Sequence, residues 1–164
     1  MKPKTLDHVA FWVADREPIV NFLTQNVGMH VIDRQDAFTL VGSDARHGKL
    51  TLFTAEGPRE PGAFKHVALR VSDLNRARAG LPDGVEAELG EGVRIRLVEA
   101  PTDVEYDLDH VALYSVDPEQ TARTTRRLAS TSPSVPLRVI RVSRSAAPTW
   151  SSITATPATL TSLC

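Results

Sequence analysis

Three histidines hold the same place in three copies of one short phrase: Asp7-His8-Val9-Ala10, Lys65-His66-Val67-Ala68 and Asp109-His110-Val111-Ala112. Each copy continues in the alternation of a half-buried β-strand. On a period of two, His8, Ala10 and Trp12 share one face, and Val9, Phe11 and Val13 share the other. The second copy sets His66, Ala68 and Arg70 against Val67, Leu69 and Val71. The third sets His110, Ala112 and Tyr114 against Val111 and Leu113. Imidazoles repeated at equivalent positions of related strands point to one shared cleft, with His8 and His66 as the pair expected to face it. Trp12 and Arg70 follow their histidines on the same face, so an aromatic wall and a cation would line that cleft and suit a planar anionic ligand. His110 opens a unit whose remainder is missing, and is expected to stand outside the site. His30 and His47 lack support from the repeat and read as surface residues.

The elements around these phrases repeat as well. After the first strand, Asp15 caps a helix that tolerates Pro18 in its first turn and carries Ile19, Phe22, Leu23 and Val27 at helical spacing. Gly28 ends it. Residues 29–35, 37–42 and 49–53 then read as three strands, and the Pro- and Gly-rich stretch 55–64 as a linker. The second unit is shorter: Asp73 caps a helix with Leu74, Ala77 and Leu81, and two strands follow, over 85–89 and 92–99. The third begins with a strand and a helix capped by Asp117-Pro118, running to about Leu128.

Beyond it the pattern collapses. Residues 130–164 contain no Asp, Glu, Lys, Gly, Asn, Gln or Phe and are rich in Ser, Thr, Pro, Ala and Arg. The domain plan is therefore 1–106 as two paired units forming the cleft, 107–129 as the start of a third, and 130–164 as a disordered or out-of-frame tail. Within that tail, only 137–142 has strand propensity.

Composition narrows the function classes. The 164 residues carry 19 Lys and Arg against 20 Asp and Glu, a formal net charge of −1, which gives no reason to expect nucleic acid or an anionic membrane as partner. The one cysteine, Cys164, leaves no intrachain disulfide and suits a reducing compartment. With no apolar leader and no run long enough to span a bilayer, the cytoplasm is the expected location.

The strand–helix–strand–strand–strand plan, with a histidine opening each unit, resembles the vicinal oxygen chelate superfamily of glyoxalases, bleomycin-resistance proteins and extradiol dioxygenases. The resemblance rests on Leu6 to Gly28, Lys49 to Phe53, Lys65 to Leu74 and Asp109 to Leu128. It implies an α+β fold of paired β-α-β-β-β units forming an open, barrel-like cleft, here with an incomplete third unit. It also implies a divalent metal, Fe(II) or Mn(II), held by His8 and His66 and by a carboxylate from the last strand of a unit. The matching positions are Thr51, in Leu50-Thr51-Leu52, and Arg96, in Ile95-Arg96-Leu97, and neither is a carboxylate. Glu99 lies nearest, but period two puts it on the face opposite Arg96, and only a bulge would turn it inward.

Two readings follow from the resemblance. One is a metal-dependent enzyme, dioxygenase- or glyoxalase-like, in which His8, His66 and Glu99 hold the metal and the metal holds vicinal oxygens of a small substrate. Trp12, Arg70, Arg96 and Thr51 would contact that substrate. The other is a metal-free binding protein of the bleomycin-resistance type, in which Arg96 occupies the third ligand position; an inactive, truncated relative of a longer enzyme is a variant of it. Either reading takes a small aromatic or anionic molecule as partner and leaves room for a homodimer.

Overall fold

The computed structural model describes residues 6–60, 62–82, 84–131 and 140–144. The first unit runs β1 (His8–Val13), α1 (Glu17–Phe22), β2 (His30–Arg34), β3 (Phe38–Gly42) and β4 (Lys49–Thr54). Its sheet has the order β1-β4-β3-β2, with β1 parallel to β4 and the other pairs antiparallel. The alternation does what period two requires: Phe11 and Val13 are buried, whereas His8 and Trp12 face solvent. Asp15 accepts the Glu17 N–H at the start of α1, as expected of a cap. The helix widens into a π-helical turn, Leu23–Val27, and stops at Gly28 in the left-handed region, φ 85°. Gly28 is needed twice over, because the Tyr106 hydroxyl sits 2.8 Å from where a Cβ would be.

The second unit comprises β5 (Phe64–Val71), α2 (Leu74–Ala77), β6 (Glu86–Glu88) and β7 (Arg94–Glu99), one strand fewer than the first. Asp73 accepts the Arg76 N–H to cap α2. The third contributes β8 (Asp107–Ser115), α3 (Pro118–Thr131), capped by Asp117 through the Gln120 N–H, and β9 (Ile140–Arg144). These two units form one sheet of order β6-β7-β5-β8-β9. Each opening strand again lies parallel to its closing strand, β5 to β7 and β8 to β9, and the two opening strands pair antiparallel in the middle. The α+β class and the paired units match the expectation; the pair differs. The second unit pairs with the third, not with the first.

The segment expected to be a disordered tail contains a strand. Ile140 and Val142 alternate with Arg141 and Ser143, and the outer edge of β8 supplies the backbone partners that make this alternation worth adopting. The rest of that tail, 132–139 and 145–164, lies outside the described residues.

One core serves both sheets. Phe11, Val13, Leu50 and Leu52 from the first meet Ile19, Val20 and Leu23 from the first helical segment and Val67, Leu69, Val71, Ile95 and Leu97 from the second sheet. Glu91 ties the units across the polar boundary. Its carboxylate accepts the N–H groups of Ala14, Asp15 and Arg59, all at 2.9 Å. Burial pushes its carboxyl up, but the three donors outweigh this and the pKa is lowered.

Candidate functional site

In both sheets the histidine-bearing face is the one turned away from the core, so the shared core does not bring His8 to His66. The strand pairing of β5 with β8 decides which histidines meet. His66 lies opposite Ala112, Val67 opposite Val111, and Ala68 opposite His110. This reciprocal register sets the two imidazoles on one face with ring centroids 5.8 Å apart at 64°. Both are buried, His66 at 5% exposure and His110 at 6%.

Around them stands a belt of paired charges. Arg96 lies opposite Ala68 across the parallel β5–β7 pairing, on the histidine face, and its Nη1 is 2.9 Å from Glu86 Oε1. Arg94 pairs with Glu88 on the same hairpin. Arg70 Nη2 is 3.1 Å from Asp107 Oδ2, and its buried Nε has no acceptor. Tyr114, further along β8, has the Lys65 ammonium 5.6 Å from its ring centre.

His66 is held neutral. Burial pushes its pKa down from 6.5 to about 4; Glu86 opposes the shift, while His110, Arg96 and Lys65 reinforce it. Because the folded pKa lies below the unfolded one, the unfolded chain takes the proton first as pH falls. Stability contributed above about pH 6.5 is thus lost between about 6.5 and 4, and this group adds no further loss below that. The expected loss is about 2 kcal/mol. Urea midpoints measured against pH should show it, and His66→Gln should flatten the curve over that window. A His66→Gln chain with the full parental slope would refute the assignment.

The other expected site residues lie elsewhere. His8 is exposed on the first sheet, its Nδ1 2.8 Å from Asp7 Oδ2, so it is not paired with His66. Trp12 stacks on Phe53 with centroids 5.1 Å apart, and Thr51 is buried beside Ala10; both belong to the first sheet. Glu99 pairs with Val71 in an unbroken β5–β7 register, on the core-side parity of Ile95 and Leu97, so no bulge turns it toward the histidines. His110, Glu86 and Asp107 join the site instead. The repeat itself flags His110, and Glu86-Ala87-Glu88 facing Arg94-Ile95-Arg96 is a charge pattern that could flag the hairpin.

The donor set does not fit a divalent ion. Among the described residues no three His, Cys, Asp or Glu side chains converge. Glu86, whose charge reaches His66, is taken up by Arg96, and the guanidinium would repel a cation. The closing strand of the third unit repeats the substitution in register, with Arg141 opposite Ala112. A separate cavity of about 530 Å³, lined by Asn26, Arg76, Glu105 and Tyr106 among others, holds none of the three histidines. Among the described residues no helix is long and apolar enough to cross a membrane.

Comparison with known proteins agrees with this architecture. Residues 5–135 match the family described as the Glyoxalase/Bleomycin resistance protein/Dioxygenase superfamily. The fold is similar to glyoxalase I from Zea mays, at TM-score 0.58 and 16% identity over 77% of this chain and 55% of that one. It is similar also to a putative dioxygenase from Bacillus subtilis, at TM-score 0.51 and 15% identity over 78% and 55% of the two chains. The chain thus spans about 55% of the length of these structures. No curated protein matches it in sequence. The chain belongs to the glyoxalase, bleomycin resistance protein and dioxygenase superfamily.

Proposed function

We propose that the histidine face of the second sheet binds a small anionic molecule without a metal. The observation that supports this is Arg96: a guanidinium occupies the closing-strand position that faces His66 and His110. A neutral imidazole offers one N–H and one acceptor, and an arginine paired on one edge keeps further donors. Arg96, the unpartnered Nε–H of Arg70 and the two imidazoles therefore converge donors on a face whose charges are otherwise balanced by Glu86 and Asp107. A flat carboxylate or enolate anion meets those donors in plane. Metal-assisted catalysis, with a two-histidine site holding vicinal oxygens, would need a third ligand that this face does not offer.

Phthalate, a flat dianion, is a suitable probe. Titrated into the EDTA-treated full-length chain, it should bind saturably, about tenfold more weakly in Arg96→Gln. Trp12→Ala, on the other sheet, should leave the affinity unchanged. Tight uptake of one equivalent of Fe(II) or Mn(II) by the parent, with no binding of phthalate in its absence, would reject this reading in favour of the metal enzyme.

A further inference from the structure

We propose that a second copy of this chain docks along the free edge of β1, antiparallel to its own β1 and centred on Val9. Strand register carries this contact, independently of the anion reading. In the second sheet, β5 has β7 on one side and β8 on the other; in the first, β1 has β4 on one side and, among the described residues, no strand on the other. That edge has none of the usual protections. His8–Val13 contains no proline, and its register with Lys49–Thr54 runs without a bulge.

The chain itself shows how such an edge is satisfied. The β5–β8 pairing is symmetric about Val67 and Val111, each histidine lying opposite the other strand's alanine. Carried over to the first copy of the phrase, this register sets His8 opposite the second copy's Ala10, Val9 opposite the second copy's Val9, and Ala10 opposite the second copy's His8. The pattern is self-complementary, so one two-fold axis satisfies both chains and the contact closes at two.

The flanking surface suits the same occupant. Trp12 is 58% exposed beside this edge, stacked on Phe53, which lies 5.6 Å from Phe38. An exposed aromatic row next to an unpaired strand marks a contact surface rather than a solvated face. Docking would bring the second copy's His8 beside Ala10 and this row. The result is a cleft that neither copy has alone, aromatic where the other sheet is charged.

Sedimentation equilibrium of the full-length chain should give twice the 17.9 kDa of one copy. Ala10→Lys, which sets two cations near the axis, should raise the dissociation constant at least ~10-fold with the circular dichroism spectrum unchanged. In a Cys164→Ser background, Val9→Cys should form an interchain disulfide on mild oxidation, because facing residues of an antiparallel pair lie about 4.5–5.5 Å apart at Cα. Trp12→Cys, well off the axis, should not. A parent that stays monomeric would overturn the proposal. So would a dimer in which Trp12→Cys links and Val9→Cys does not. A monomer whose β1 amides resist hydrogen exchange would show that another part of the same chain covers the edge, and would overturn it as well.

Discussion

An Arg96→Glu chain is expected to bind Fe(II) or Mn(II) on the order of 100-fold more tightly than the parent. Two changes act together. The guanidinium that repels a dication is removed, and a carboxylate appears opposite Ala68, on the face of His66 and His110. Glu86 loses its partner in the same step, so a second carboxylate becomes available nearby. Two imidazoles and one or two carboxylates are a familiar donor set for these ions. The gain should disappear in the double variants with His66→Ala or His110→Ala and persist with His8→Ala, because His8 belongs to the other sheet. Anaerobic metal titration of the five chains decides the matter. Loss of the gain on changing His8 would mean that His8, and not His110, is the partner of His66.

Gly80→Ala should destabilise the fold by about 3 kcal/mol, a fall of roughly 6–12 °C in Tm. An added Cβ would sit well inside van der Waals contact of the Asn26 carbonyl oxygen, at the π-helical turn that ends the first helix. Backbone meets backbone there, so no rotamer change relieves the overlap, and the end of α2 must move away from the first unit. That movement pulls at the core which both sheets share. Gly57→Ala is the matched control: nothing lies within 4 Å of its would-be Cβ, and thermal denaturation should register little change. Equal losses at the two positions would show that the close approach is not what Gly80 serves.

The face of each strand is legible in the sequence because period two is a local property. Val67, Leu69 and Val71 go to the core, His66 and Ala68 to the other side, and Arg96 and Glu99 fall on opposite faces as their parity requires. The caps at Asp15, Asp73 and Asp117 and the stop at Gly28 are legible for the same reason. The choice of partner is not. All three opening strands carry the same His-Val-Ala phrase, so the phrase cannot say which two lie side by side. That is settled by the connection through Tyr106, which returns β8 antiparallel along β5, and by Glu91, which anchors the first unit through backbone N–H groups. Such contacts span more than seventy positions and depend on a carboxylate in a glycine-flanked turn, with φ of 49° at Glu91 itself. No periodicity announces them. His110 is the residue this affects most: its strand is recognisable from the phrase, but the neighbour that brings it to His66 is not.

The parallel closure of each unit, first strand beside last, has a consequence for how such a chain can gain and lose parts. In the first unit the middle strands β2 and β3 lie outside β4, and β2 is the outermost. A deletion there shortens the sheet from its rim and leaves the pairing of the histidine strand with β4 intact. The second unit has one strand fewer, with β6 as its rim and β5 still held between β7 and β8. Loss of a closing strand is different, since it strips the opening strand of a whole side of backbone partners. Length variation should therefore be tolerated at the rim and forbidden at the hinge between first and last strand. The least the chain can shed while keeping a histidine in place is a rim strand, and the least it can acquire to make a new one is an entire unit.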